Sequence, residues 1–549
     1  MQGIIDELKV DGRNLSAIKS SPYYWQGDAN SIVFEENSIR SALMDFNSFV
    51  MVVSLENRIG LTTQGSITTS LTSRAIPLIG WTIPVSPETL GNHAFCATYG
   101  TRYAYYGGAM ANGISSAELV IALGKAGFMG SFGSAGLGPA RIEAAIQTIQ
   151  QALPDRAYAF NLINSPNEPA LEQMAANLYL AHGIHIVEAS AYVDLTIPLV
   201  LYRTAGLKLD AAGKIEINNR ILAKLSRKEV ARRFLEPAPV DILDQLVKEN
   251  KISELQARLA QQVPMADDIT VEADSGGHTD NRPLVGLLPT MLALRDEIQA
   301  KYHYPIPIRI GAAGGISTPT SALAAFIMGA DYIVTGSVNQ ACVESGATDY
   351  TRGLLAQADM ADVIMAPAAD MFEMGVKVQL LKRGTLFPLR AQKLYELYTR
   401  YNSIDEIPAA EREKQERQVF KRDFVSIWDD VVKFFSERDP RQIERAEHDP
   451  KQKMALIFRW YLGLSSRWAV AGEKGREMDY QIWCGPSMGT FNDWTRPTYL
   501  NNPGSRHVVD VALHLLSGAA YLYRLRILTM QGIQVPASLE AYLPTAPLI

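Results

Sequence analysis

Three short apolar runs, separated by helix-like segments, constrain the fold of this chain more than any other feature. The runs are Ile269–Ala273, Ile306–Ile310 and Asp331–Thr335, and each leads into glycines. Between the second and third runs, apolar residues recur at the three- and four-residue spacing of a helix. This alternation is typical of parallel strands joined by crossover helices. The glycines would then lie at the carboxyl ends of the strands, where α/β folds bind ligands.

The same rhythm extends back toward the N-terminus and predicts five more strands. They are Tyr105–Met110, Gly127–Phe132, Ala157–Ile163, Ile184–Ala189 and Ile221–Leu225. Two excursions interrupt it, a hairpin in KLDAAGKIEI and added helices in 237–264. Eight successive βα units predict an α/β fold of the (β/α)8 TIM-barrel type, with function at the C-terminal rim.

The 549 residues exceed the roughly 250 that such a barrel needs. Strand-like runs at 49–55 and 76–83 predict a small N-terminal β-containing cap over residues 1–100. The barrel would occupy 101–350. Residues 351–549 would form a helical C-terminal extension, because 411–422, 453–470 and 507–529 have helical patterns.

Composition narrows the class of protein. Apolar residues make up 47% and charged residues 20%, as in a globular protein, and the net charge of -6 gives no reason to expect nucleic acid as a partner. Three distant cysteines without metal-site spacing favour a reduced, cytoplasmic compartment. We expect no signal sequence and no membrane span, because no apolar run reaches about 18 residues. A homodimer is compatible with the sequence, which does not fix the oligomeric state.

Glycines after the last two strands predict a phosphate site. Gly314 and Gly315 precede a helix start at Ser317-Thr318-Pro319, and Gly336-Ser337 follows the next strand. A glycine turn that leads into a helix N-terminus presents free backbone N–H groups to an anion. The alternative is that these glycines only form tight turns between elements.

Other strand ends supply a mixed set of polar and small residues. Strand one ends in Gly108-Ala109-Met110, strand three carries Asn161, strand five carries Lys224, and strand six leads into Gly276-Gly277-His278. Each has an ordinary alternative, such as a lysine at the surface or an asparagine in a turn. Together they predict a cofactor pocket with a phosphate at one end.

At this point the sequence resembles the flavin-dependent barrels of the nitronate monooxygenase and enoyl reductase superfamily. The resemblance rests on YYGGAMANG, NLINSPNEPA, EADSGGHTDNRP, GAAGGIST and VTGSVNQAC. The further runs DVIMAPAADMFEMGVKVQLLKRGTLFP, YLGLSSRWA and YQIWCGP are similar to one branch, the PfaD-type trans-acting enoyl reductases. The resemblance covers roughly residues 75–530.

The resemblance implies FMN in the barrel, NADPH as electron donor and an enoyl thioester on an acyl carrier protein as substrate. It implies that Gly108, Ala109 and Met110 lie against the flavin ring, that Asn161 binds its pyrimidine edge, and that Lys224 lies near N1 and O2. Gly276 and Gly277 join this cofactor set, and Gly314, Gly315, Gly336 and Ser337 would hold the phosphate. His278 is the candidate proton donor, with a purely structural hydrogen bond as the alternative.

Two other functions remain open from the sequence. One is a flavin monooxygenase of nitronate type, and the other is a non-catalytic docking subunit of a synthase. A basic segment, 376–400, carries six positive charges and one negative charge. We expect Lys377, Lys382, Arg383 and Arg390 to bind an acidic carrier protein, although a solvated basic face would have the same composition.

Overall fold

The computed structural model describes residues 8–10, 23–166 and 168–549, and the first part of the predicted cap, residues 1–7 and 11–22, lies outside them. A five-stranded antiparallel sheet of order β4-β3-β6-β2-β5 forms most of the described N-terminal region. Strands β3 and β6 confirm the two predicted runs, and β4 and β5 lie between them in the chain. The elements are β1 (Lys9–Val10), β2 (Tyr24–Gln26), α1 (Glu36–Met44), β3 (Val50–Leu55), β4 (Arg58–Thr62), β5 (Ser66–Thr68) and β6 (Ile76–Thr82).

A closed barrel of eight parallel strands follows and confirms the predicted TIM-barrel fold. Helix α2 (His93–Tyr99) precedes it. The barrel strands are β7 (Tyr105–Gly107), β8 (Met129–Phe132), β9 (Ala159–Ile163), β10 (Ile186–Ser190), β13 (Arg220–Leu225), β14 (Asp268–Glu272), β16 (Arg309–Ala313) and β17 (Ile333–Thr335). A two-stranded hairpin, β11 (Leu207–Leu209) with β12 (Ile215–Ile217), confirms the first predicted excursion.

The seventh barrel strand lies three residues later than predicted. The sequence favoured Ile306–Ile310, but this run contains Pro307, which has no N–H for the hydrogen bonds of a central strand. The strand instead pairs over Arg309–Ala313, where Gly311 leaves room for the ring of Tyr332.

Helices surround the barrel and lie after the strands that the βα rhythm predicted. They include the two helices of the second excursion, α8 and α9, which precede β14. The helices are α3 (Ala117–Lys125), α4 (Pro139–Ala152), α5 (Pro169–Ala181), α6 (Ile197–Ala205), α7 (Lys228–Leu235), α8 (Val240–Lys248), α9 (Glu254–Ala260), α10 (Leu284–Tyr302) and α11 (Pro319–Ile327).

The region after the last barrel strand is mainly helical, as predicted, but it also contains a three-stranded sheet. Strand β15 (Gly277–His278), in the loop after β14, pairs with β19 (Lys377–Leu381), which pairs with β18 (Val363–Pro367). Residues 366–462 contain a separate hydrophobic core. The helices of the whole region are α12 (Ser337–Gln340), α13 (Asp349–Ala356), α14 (Phe387–Arg400), α15 (Ala409–Gln415), α16 (Phe424–Arg438), α17 (Arg441–His448), α18 (Pro450–Ala471) and α19 (Ser487–Thr495).

Helix α20 (Val508–Met530) completes the ring of helices around the barrel. It packs along α11 and contacts α3, which is the position of the helix that follows the eighth strand. The region between α12 and α20 is therefore inserted between the last strand of the barrel and its closing helix, and we call residues 341–507 the insert. The domain limits at residues 100 and 350 remain a prediction.

The closing helix also anchors the N-terminal sheet. The Arg524 guanidinium donates to the carbonyl oxygens of Leu43, Asp45 and Ser48 at 2.7–2.8 Å, and β20 (Ile533–Gln534) pairs with β1. Among the described residues this helix alone is long and apolar enough to span a membrane, yet 89% of its most apolar window is buried inside the protein. That burial is typical of a core helix.

Candidate active site at the barrel mouth

A cavity of about 680 Å³ lies at the carboxyl ends of the barrel strands, between the barrel and the insert. Its volume is in the range of sites that enclose a cofactor-sized ligand. The structure brings to its walls every residue that the sequence suggested for the cofactor or for catalysis. They are Gly108, Ala109, Met110, Asn161, Lys224, Gly276, Gly277, His278, Gly314, Gly315, Gly336 and Ser337.

The glycines of the strand-end loops differ in the reason for their small size. A Cβ on Gly314 would lie 2.7 Å from the backbone of Ala273, and one on Gly276 would lie 2.8 Å from the backbone nitrogen of Cys484. These two glycines allow neighbouring loops to approach each other. Around Gly315 and Gly336, in contrast, a Cβ would meet no atom within 4 Å. Those two residues leave open space on the cavity wall.

One residue of the cavity wall, Lys224, lies between two glutamates. The Nζ of Lys224 lies 3.2 Å from Oε1 of Glu272 and 3.7 Å from Oε1 of Glu188. Burial alone would lower the pKa of Lys224, but the two carboxylates outweigh it and hold this pKa above its usual range. The lysine is therefore a cation whose charge the protein already balances.

Glu188 is a residue that the sequence analysis missed. It is fully buried, its Oε2 accepts a hydrogen bond of 2.8 Å from the Ala109 N–H, and its Oε1 has no hydrogen-bond partner. An acidic residue inside the apolar run of the fourth predicted strand was a visible signal, because charged residues are rarely buried without a role.

The amide of Asn161 is held in a defined orientation. Its Nδ2 donates to the backbone oxygen of Glu188 at 3.0 Å and to the hydroxyl of Ser190 at 2.8 Å. Both amide hydrogens are thus used within the protein. The Oδ1 acceptor is the part of this side chain that is left for a ligand.

His278 forms a pair with an acidic residue of the insert. Its Nε2 lies 3.0 Å from Oδ2 of Asp370, and both side chains line the cavity. Burial would lower the pKa of His278, but the hydrogen bond and charge of Asp370 raise it above its usual value. Asp370 lies 92 residues away in sequence, so no local pattern could have indicated the pair.

The loop that carries His278 is fixed by a second contact with the insert. The Nε2 of Gln379 donates to Oδ1 of Asp274 and to the backbone oxygen of Ser275, both at 2.8 Å. Asn281 donates to the same Asp274 oxygen at 2.8 Å and to Gln379 Oε1 at 3.0 Å. The position of His278 therefore depends on strand β19 as well as on the barrel.

An apolar arm extends the cavity into the insert. Of the aromatic residues in 480–494, only Trp483 lines the cavity. The arm is instead formed by the facing sides of α16 and α18. Its apolar lining residues are Val431, Phe434, Phe435, Leu456, Trp460 and Leu464.

The four basic residues suggested for a partner differ in how free their charges are. Lys377 and Lys382 are exposed. Arg383 forms an ion pair with Asp362. Arg390 forms one with the fully buried Asp479, so its charge is balanced inside the protein. Partner binding by this segment remains a prediction, and the two lysines are its most accessible members.

Comparison with known proteins agrees with this architecture. Residues 101–415 match the nitronate monooxygenase family, and residues 25–79 match the N-terminal domain of fatty acid synthase subunit PfaD. The crystal structure of the enoyl reductase domain of MlnA, from the macrolactin biosynthesis cluster of Bacillus amyloliquefaciens, superimposes with a TM-score of 0.77 at 40% identity. The match covers 80% of this chain and 99% of that one. The chain belongs to the PfaD-type enoyl reductases of the nitronate monooxygenase family.

The chain spans only part of the length of the curated relatives that it matches. The chain is 49% identical to a polyunsaturated fatty acid synthase subunit of Thraustochytrium sp. over 81% of its length, and it spans 30% of that relative. It is 46% identical to polyketide biosynthesis protein PksE of Bacillus subtilis and spans 58% of it. Residues 401–480 match the inserted helical domain of [acyl-carrier-protein] S-malonyltransferase. Family membership supports an oxidoreductase with a flavin cofactor.

Proposed function

We propose that the protein is an enoyl reductase that uses FMN and NADPH to reduce the α,β double bond of enoyl thioesters on an acyl carrier protein. The single observation that carries this proposal is the His278–Asp370 pair in a cavity that continues into an apolar arm. A proton source beside an elongated apolar site suits the reduction of an acyl chain. The polyketide and polyunsaturated fatty acid relatives support a role in one of these two kinds of biosynthesis.

The residues at the cavity walls fit FMN. Gly315 and Gly336 leave open space where a side chain would intrude, and Gly315 has a φ of +76°, which favours glycine. These loops, with Gly314 and Ser337, would hold the phosphate beside the start of α11, whose first N–H groups favour an anion. When bound, FMN supplies hydride transfer between NADPH and the substrate.

His278, whose imidazole is paired with the carboxylate of Asp370, supplies the proton that the reaction needs. Reduction of the double bond adds a hydride at the β-carbon and a proton at the α-carbon, and NADPH is oxidised to NADP⁺. Because Nε2 of His278 faces Asp370, Nδ1 is the nitrogen left to serve the substrate. The raised pKa of His278 keeps the imidazole protonated further toward neutral pH, as a general acid requires.

Lys224 and Asn161 would orient the flavin ring. Asn161 can only accept through Oδ1, which suits an N–H donor on the pyrimidine edge. Lys224 would approach N1 and O2 with a charge that Glu188 and Glu272 already balance. It would therefore stabilise a negative ring less than an isolated lysine would.

Carrier proteins as the source of the acyl chain are supported by the relatives and by the insert. The helical-domain match of residues 401–480 is to an enzyme named for an acyl carrier protein. This segment contains the whole of α16 and α18, which form the apolar arm. We infer that the arm receives the acyl chain.

The test is to reduce the flavin-loaded protein under anaerobic conditions and mix it with an enoyl thioester or with a nitroalkane. Rapid reoxidation by the enoyl thioester, with formation of the saturated product, is expected. Reoxidation only after oxygen is admitted, coupled to nitronate consumption, would instead indicate a monooxygenase. Purified protein that binds no flavin would indicate a non-catalytic subunit.

A further inference from the structure

One cation that lines the cavity forms no ion pair among the described residues. The cations that line the cavity are Lys224, Arg438, Arg459 and Arg467. The first pairs with Glu272, the second with Glu168 at 2.8 Å, and the third with Glu373 at 3.1 Å. Arg467 has no acidic partner within 4 Å in the part of the chain that the structure describes.

Arg438 lines the same cavity as Arg467, and so does Glu168, the acidic partner of Arg438. Two guanidinium groups thus line the cavity beside one carboxylate. Such a cluster favours an anion, and a guanidinium binds phosphate oxygens through two parallel hydrogen bonds.

The helix that carries Arg467 is fixed against the barrel. The neighbouring Ser466 accepts a hydrogen bond of 3.0 Å from Nδ2 of Asn112, in the loop after β7. The proposed FMN phosphate loops follow β16 and β17, whereas Glu168 follows β9 and both Arg438 and Arg467 belong to the insert.

We propose that Arg467, with Arg438, forms a second anion subsite, which binds the phosphate group of a ligand that enters the cavity. This inference rests on the proposed function, which offers two sources of phosphate. One is the phosphopantetheine arm that carries the acyl chain, and the other is NADPH. Both ligands must reach the barrel mouth from solvent, and Arg467 is exposed at the wall that they pass.

The experiment measures equilibrium binding to flavin-loaded protein, by titration, for ligand pairs that differ in one phosphate. The pairs are an enoyl phosphopantetheine thioester with the enoyl pantetheine thioester, and NADP⁺ with NAD⁺, which do not reduce the oxidised flavin. Arg467→Gln is expected to raise Kd for a phosphorylated ligand about tenfold or more, because one charge-assisted contact is lost. Arg467→Lys, which keeps the charge, should retain part of the affinity.

The matched control is Arg459→Gln, on the same helix and the same cavity wall, where the removed charge is already paired. It should leave the ratio of the two Kd values in each pair unchanged. A selective loss for the phosphopantetheine thioester would assign the subsite to the acyl arm. A selective loss for NADP⁺ would assign the subsite to the 2′-phosphate, and a loss shared by both dinucleotides would assign it to the pyrophosphate.

The proposal is overturned if Arg467→Gln changes no Kd, or if it weakens both thioesters equally and leaves the dinucleotides unaffected. Because the readout is binding, this failure differs from failure of the proposed function. If Arg467→Gln selectively weakens a phosphorylated ligand but no enoyl thioester reoxidises the reduced protein, only the enoyl reductase assignment is wrong. If the thioester is reduced but Arg467→Gln does not change the Kd ratios, only the subsite is wrong.

Discussion

The two ends of the barrel hold buried carboxylates in opposite ways. At the base, Asp268 and Arg309 form a two-point ion pair at 2.6 and 2.8 Å, and the hydroxyl of Tyr99 donates to the same carboxylate. Both charged side chains are almost fully buried. At the mouth, Glu188 is equally buried, but one of its oxygens has no hydrogen bond and the nearest ammonium lies 3.7 Å away.

The difference separates stability from function. Removing one partner of a buried, fully hydrogen-bonded ion pair strongly destabilises the fold. A buried acceptor without a hydrogen bond, in contrast, can accept one from a ligand. The mouth also has two carboxylates for one lysine, so it carries excess negative charge near the ring-binding strands. The base therefore stabilises the barrel, and the mouth is built to be completed by a ligand.

The largest expected effect comes from replacing the acid by its amide at each end. Asp268→Asn leaves the Arg309 charge buried without a counter-ion and should reduce the free energy of unfolding by roughly 3–5 kcal/mol. Glu188→Gln keeps the same size, removes one of two neighbouring carboxylates and should change it by about 1 kcal/mol or less. Denaturant unfolding of the flavin-free variants checks this, and equal losses at both ends would contradict the comparison.

A histidine at each end gives the next contrast. His278→Ala should slow the reoxidation of reduced protein by the enoyl thioester about 10²-fold or more, and slow reduction by NADPH much less. The control is His303→Asn at the base, an exposed position whose φ of +53° asparagine tolerates, and it should change neither rate. Stopped-flow measurement of the rates of both half-reactions tests this prediction. Equal slowing of both by His278→Ala would indicate a role in positioning the flavin.

The pH dependence sharpens the role of the Asp370 carboxylate. Because Asp370 raises the pKa of His278 against the effect of burial, the acid form of His278 should persist above the usual value and the reoxidation rate should fall as pH rises through this raised pKa. Asp370→Asn removes the counter-charge, so the fall should move to lower pH. A pH–rate profile of the oxidative half-reaction that is the same in both proteins would remove the pair from the mechanism.

The smallest expected effect concerns partner docking. We expect Lys377→Glu with Lys382→Glu to lower kcat/KM for a carrier-bound substrate about tenfold at low salt, because charges at a rim mainly change the association rate. The effect should shrink as salt screens the charges. Lys125→Glu, exposed at the end of α3 on the base side, is the matched control. An equal loss for free pantetheine substrate would contradict docking at this segment.

The sequence predicted the barrel well because its signals are local. The strands are short, largely apolar runs, and Gly314-Gly315 and Gly336-Ser337 directly follow the last two of them. The pairing of His278 with Asp370 and the isolation of Arg467 depend on contacts between distant segments, which periodicity does not encode. The exception is Glu188, an acid within an apolar strand, whose burial the pattern alone could have indicated.

The most direct measurement of the central claim compares FMN with riboflavin, which lacks the phosphate. If the mouth holds the phosphate at the glycine loops, the flavin-free protein should bind FMN much more tightly than riboflavin. Gly315→Asp should remove most of this preference by like-charge repulsion. Gly315→Asn, which has the same size and also tolerates the positive φ, should keep more of it. Equal binding of the two flavins, or equal effects of the two substitutions, would contradict the phosphate site and with it the proposed cofactor arrangement.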